Sequence, residues 1–172
     1  MTISHYQASI PAFVHGLQQL SHLLEKAGAH AQSQGLEASS LIDARLAPDM
    51  FPLSAQVQRA SDTAKLSAKR LSDLPAPSME DNETTFDALQ ARIRATIDYL
   101  QSIPSDALDA DRRITLKFGS LQAHFDSARY IAEFALPNFY FHITAAYAIL
   151  RNQGVAIGKL DYLGRIGEVE PA

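Results

Sequence analysis

Four stretches of this chain repeat apolar residues at alternating steps of three and four, and that spacing restricts the fold more than any other feature. In the first, Ile3, Tyr6, Ile10, Phe13, Leu17, Leu20 and Leu24 form one stripe along a helix predicted over residues 4–31. Pro11 lies inside the pattern and predicts either a kink or a true start nearer Ser9. Gly35 punctuates the end. A second helix, residues 52–73, opens with Pro52 in its first turn and carries Leu53, Val57, Ala60, Ala64, Ala68 and Leu71. Its alanines let a neighbouring helix approach closely, or leave room for a ligand. The third, Thr85 to Gln101, aligns Phe86, Leu89, Ile93, Ile97 and Leu100, with Thr84 or Thr85 as its cap. The fourth region, residues 127–152, is divided by Pro137. It reads either as a short helix followed by a new one at Pro137 or as one long kinked helix, with Gly154 as the stop.

Four amphipathic helices in one domain of 172 residues predict an all-α, antiparallel four-helix bundle. Residues 113–125 break the helical period. Ile114, Leu116 and Phe118 alternate with Arg113, Thr115 and Lys117, which predicts a strand. Gly119-Ser120 is a turn candidate, and Leu121 to Phe125 can return as a second strand. Two strands are marginal alone, so this short β-hairpin before the last helix has to lie on the bundle. Residues 36–51 form a connector in which Leu41, Ile42 and Leu46 can pack down, and PAPSMEDNE, residues 75–83, reads as a linker. After Gly154, Val155, Ile157, Leu160 and Tyr162 can anchor the tail.

The formal net charge is −4, and no block of Lys and Arg supplies the positive field that nucleic acid requires. No run approaches 18 apolar residues, so a membrane span is not expected. MTISHYQASIPAF does not read as a signal peptide. Cysteine is absent, which excludes thiol nucleophiles, disulfides and cysteine-ligated metals. The default compartment is the cytoplasm.

Candidate chemistry concentrates near the last helix. His142 sits among Phe139, Tyr140, Phe141 and Tyr147, and a buried imidazole there needs partners for both nitrogens. It reads as a hydrogen-bonded core residue, a ligand contact or a metal ligand. Tyr147 and Arg151, one turn apart, can bind an acidic ligand or secure a carboxylate such as Asp49 or Asp62. Asn138 can orient a ligand or satisfy the helix start. Phe139 and Phe141 read as packing anchors. Asp49 reads as a cap for the second helix or a pocket residue. Asp62 and Lys65 read as a helix-surface pair, and Lys159 and Asp161 as part of a packing loop. His15 and His22 share a side of the first helix, but with no HxxxH or HExxH pair, spacing alone defines no metal site.

Two segments, RLAPDMFPLSAQVQRASDTAK at residues 45–65 and LPNFYFHITAAYAILRNQGVAIGKLDYLG at residues 136–164, resemble the DUF1993 family of uncharacterised proteins. More distantly they resemble the DinB/YfiT-like superfamily. That resemblance implies a bundle, often a homodimer, in which histidines from different helices hold a divalent metal, with thiol transfer among the activities of some relatives. The last-helix pattern there resembles HxxxHRGQ. His142 falls at its second histidine, with Leu150, Arg151 and Gly154 downstream. Asn138 replaces the first histidine, Ile143, Thr144 and Ala145 replace RGQ, and residues 52–73 contain no histidine.

The resulting expectation is a bundle protein without the usual metal and with no cofactor. It keeps a ligand pocket near His142, Asn138, Tyr147, Asp49 and Arg151, and binds a small molecule or acts structurally as a homodimer. Nucleic-acid and membrane partners are not expected. The alternative is a divergent metal-dependent transferase or hydrolase in which His142 binds zinc or nickel and the metal polarises a bound thiol or water.

Overall fold

A computed structural model describes residues 3–164 and residue 167. The first helix, α1 (His5–Gln34), starts where Ser4 caps it. The Ser4 hydroxyl accepts from the Gln7 amide, and the Gln7 side chain accepts from the Ser4 amide. That reciprocal pair satisfies two amides that the helix leaves free, so the start lies ahead of Ser9 and Pro11 is accommodated inside. Pro11 is exposed, and the carbonyl deprived of its donor can turn to water. Ile3 precedes the cap and is exposed, so the buried stripe begins at Ile10 rather than at Ile3. At the other end Gly35 adopts φ +63°, and the Leu36 amide donates back to the Ala31 carbonyl.

The short α2 (Ala38–Ile42) buries Leu41 and Ile42, but Leu46 beyond it is exposed, contrary to expectation. The next helix, α3 (Leu53–Ser72), takes Pro52 as its N-cap without a side-chain bond. Asp49 is exposed and does not cap it, because three residues of extended or turn backbone separate the two. After the 73–85 linker, α4 (Phe86–Gln101) is capped by Thr85, whose hydroxyl accepts from the Ala88 amide at 3.1 Å. A single 3-10 turn, Ser105–Leu108, leads to strands β1 (Ile114–Phe118) and β2 (Leu121–Phe125). They pair antiparallel, from Ile114 opposite Phe125 to Phe118 opposite Leu121, around Gly119 at φ +59°. The hairpin is held to the helices by rings: Phe118 and Phe125 both pack on Phe134, and Phe125 also meets Tyr130.

Pro137 neither restarts the last helix nor merely kinks it. Helical winding runs from α5 (Ser127–Arg129) through a π turn, Tyr130–Ala135, into α6 (Leu136–Asn152). A proline here cannot donate to the carbonyl four residues back, and a widened turn just before it relieves that clash. Past Gly154 the chain buries Val155 and Ile157 and enters α7 (Lys159–Leu163). Asp161 clasps α7 to α1: one oxygen accepts from Lys26 at 2.6 Å and sits 3.1 Å from His22 Nε2, and the other accepts from the Gly158 amide. Leu160 is exposed and does not anchor the tail, whereas Tyr162 is half-buried.

The four long helices pack with α1 against α4 and α6, and α3 against the same two. The protein is thus mostly helical with one two-stranded hairpin. Its core joins Phe13, Leu17 and Leu20 of α1 to Phe139, Ile143 and Ile149 of α6 and the alanine stripe of α3. Gly16 lets α1 and α6 approach closely. A Cβ there would stand 2.5 Å from Phe139 and 2.9 Å from Ile143.

Candidate functional site

On α3, Gln56, Arg59, Thr63, Leu66 and Arg70 recur at steps of three and four. They form a second, mostly polar stripe beside the alanine stripe. On α6, Asn138 and His142 are four apart and share a face. Where these faces meet, Arg59, Asp62, Thr63 and Arg70 line a hollow of about 180 Å³ together with Phe134, Asn138 and His142.

His142 is buried, and its surroundings fix its state. Gln56 donates through its side-chain nitrogen to the Phe51 carbonyl, which turns its Oε1 toward His142 Nδ1 at 2.8 Å. That oxygen can only accept, so Nδ1 carries the proton and Nε2 keeps a lone pair. Among the described residues Nε2 has no hydrogen-bond partner. Burial, and then the Arg59 charge, push the His142 pKa down to about 4. The ring is therefore neutral at physiological pH.

The other groups are held as firmly. Asn138 donates to the Thr63 hydroxyl at 2.8 Å, which itself donates to the Arg59 carbonyl. The Asn138 carbonyl oxygen is left to accept. Arg70 donates to the Tyr130 phenol oxygen at 3.1 Å, and Ser67 shares that phenol at 2.9 Å. The π turn thus carries Tyr130 to Arg70 and Phe134 to the wall of the hollow. Asp62 is shared between Lys65 and Arg92, at 2.9 and 2.8 Å, with Arg59 farther off at 3.6 Å. Lys65 is itself buried, so this is not the surface pair that the sequence spacing predicts.

Of the candidates read from the sequence, His142 and Asn138 come together. Tyr147 and Arg151 follow His142 by five and nine residues, about 140° and 180° around the helix, and so leave its face. Tyr147 instead packs its ring on Tyr162 of α7, and Arg151 is exposed. Asp49 lies in the exposed connector before α3. Phe139 is a buried anchor, as expected. Phe141 is 57% exposed, because its neighbour His142 takes the inward position. His15 and His22 turn to the α7 side, toward the Leu163 carbonyl and Asp161. Gln56, Arg59, Thr63 and Arg70 escape a reading that follows only apolar residues; their three-four spacing was the available signal.

The divalent metal that the superfamily resemblance implies does not fit these donors. Around the hollow stand two amides, a hydroxyl and one carboxylate, Asp62, which Lys65 and Arg92 already engage, with a guanidinium close enough to His142 to depress its pKa. Among the described residues, no group of three or more His, Cys, Asp or Glu could hold a metal ion.

The sequence profile of DUF1993, a domain of unknown function, matches residues 5–163. The chain belongs to this family. This DUF1993 protein also resembles a solved structure, that of a DinB family member protein from Shewanella denitrificans, at 36% identity. The likeness covers 96% of this chain and 95% of that one, with a TM-score of 0.89. No curated protein matches. The DinB-like fold therefore holds along the DUF1993 chain. No described helix is long and apolar enough to cross a membrane.

Proposed function

We propose that this protein is an antiparallel four-helix bundle that binds a small polar molecule between α3 and α6, with His142 as a neutral hydrogen-bond acceptor. The observation that carries the reading is the Gln56–His142 contact. It leaves Nε2 with a free lone pair on a residue that lines a hollow together with Arg59 and Arg70. An apolar cavity of about 150 Å³ holds benzene, so a hollow of about 180 Å³ suits a ligand of similar size. A metal-dependent transferase needs further ligands that this donor set lacks.

Ligand-observed NMR with a library of small polar molecules tests the reading, followed by the imidazole nitrogen shifts of His142. Binders are expected to move the Nε2 resonance and to lose affinity in His142→Gln. If no molecule perturbs His142, the hollow is a packing feature and the reading fails.

We further read the chain as a homodimer. Exposed Leu46 and Phe141 border an apolar hollow of about 380 Å³, and Phe51 is exposed nearby in sequence. A monomer in sedimentation velocity at micromolar concentration would rule this out.

A further inference from the structure

We infer that the hollow between α3 and α6 selects a small 2-hydroxycarboxylate, with the carboxylate on the Arg70 and Arg59 side and the hydroxyl donating to His142 Nε2. This rests on the ligand-binding reading above and names the chemistry of that site.

The charge pattern comes first. Arg59, Lys65 and Arg92 are balanced by Asp62, Asp81 and Glu83, all linked by contacts of 4 Å or less. Arg70 stands outside this network. Among the described residues no carboxylate lies within salt-bridge distance of it, and its side-chain hydrogen bond goes to the Tyr130 phenol. A half-buried guanidinium without a counter-charge favours an anion, and its planar fork suits a carboxylate. Arg59 lines the same hollow and adds positive charge there, although its guanidinium nitrogens already reach Asp81 and Asp62.

The opposite wall carries acceptors. His142 Nε2 has a lone pair, because Nδ1 is committed to Gln56. The Asn138 carbonyl oxygen is likewise available, because the amide nitrogen is committed to Thr63. An anion beside a hydrogen-bond donor satisfies both walls. The donor is a hydroxyl rather than an ammonium. The surplus positive charge repels a cation, and Asp62, the lining carboxylate, is already drawn to Lys65 and Arg92. The small volume confines the carbon skeleton to a few atoms.

The test is NMR-monitored titration of the full chain at pH 7 with lactate, propionate, alanine, inorganic phosphate and Zn²⁺, following His142. Lactate is expected to bind, propionate and alanine to bind at least about tenfold more weakly, and phosphate and Zn²⁺ to leave His142 unmoved. Arg70→Gln is expected to weaken lactate by at least about tenfold. His142→Gln is expected to narrow the lactate-over-propionate preference. Both variants are first checked for wild-type circular dichroism, and Arg70→Lys serves if Arg70→Gln unfolds. Equal binding of lactate and propionate, preference for phosphate, or stoichiometric Zn²⁺ at His142 would each overturn the inference. An uncharged or cationic molecule that moves His142 while lactate does not overturns it and leaves the ligand-binding reading intact. Silence of His142 toward every probe and every library molecule removes both.

Discussion

Acidification should destabilise this protein through His142 by an amount that its surroundings let one work out. The ring is 8% exposed, pairs only with a neutral amide, and faces Arg59 and Arg70 across the hollow with Asp62 already engaged. Its pKa falls from 6.5 to about 4 on folding. The unfolded chain therefore binds the extra proton first as pH drops, and the folded state is penalised between those two values. Stability from this group is complete above about pH 6.5, declines through the window, and is lost by about pH 4. At 1.36 kcal/mol per unit, the loss is roughly 3 kcal/mol.

Urea denaturation of wild type and His142→Gln at 25 °C, from pH 7 to pH 4, isolates this effect. Glutamine keeps an amide for Gln56 but does not titrate. Carboxylates held below the usual range, Glu83 and Glu133 among them, are the same in both proteins, so their contribution cancels in the difference. The stability of wild type relative to the variant should fall by roughly 3 kcal/mol as pH falls, with most of the change between 6.5 and 4. A flat difference, or an imidazole that titrates near 6.5 by NMR in the folded protein, refutes both the neutral tautomer and the reasoning from burial and Arg59.

Two glycines on α1 should respond to the same substitution with opposite sign. Gly16→Ala drives a Cβ into Phe139 and Ile143 and should cost about 1–3 kcal/mol. Gly28→Ala meets nothing nearer than Phe86 at 3.8 Å and should gain about 0.5–1 kcal/mol from helix propensity; thermal unfolding of the pair checks both, and equal signs would contradict the packing described. Arg92→Met should cost about 3 kcal/mol or more. The buried guanidinium bonds Glu83 and Asp62, each at 2.8 Å, and its bonds help hold the Glu83 carboxyl below the usual range against the opposing effect of burial. Because Arg92 also reaches the Glu80 carbonyl, limited proteolysis should cut the variant within residues 74–85. A loss under about 1 kcal/mol with an uncut linker would mean that the network does not fasten this segment.

How far the sequence could be read depended on whether a residue's role was local. Apolar spacing located the long helices, since one buried stripe must recur at the helical period whatever it packs against. The hairpin was legible for the same reason, with Ile114 and Leu116 alternating toward the core. Local exceptions went unseen where a second signal competed. Ser4 and Gln7 form a capping box that sets the start of α1, and so the proline at position 11 proved interior rather than terminal. At Pro137, the wider π turn solved the problem that sequence reasoning posed as kink or restart.

The site was legible only in half because it is made by two helices whose mutual rotation no spacing reveals. His142 and Asn138 could be found on one face of α6. Tyr147 and Arg151 looked like their companions only while the helix was read as a neighbourhood rather than as a cylinder. Their true companions, Gln56, Arg59, Thr63 and Arg70, sit more than 60 residues away in sequence. The partnership that decides the chemistry, Gln56 with His142, depends on a third group, the Phe51 carbonyl, which holds the amide nitrogen and turns its oxygen inward. Gln56 therefore does more than fill space on α3. Its contact sets which imidazole nitrogen is protonated, beside a hollow that Arg59 and Arg70 line.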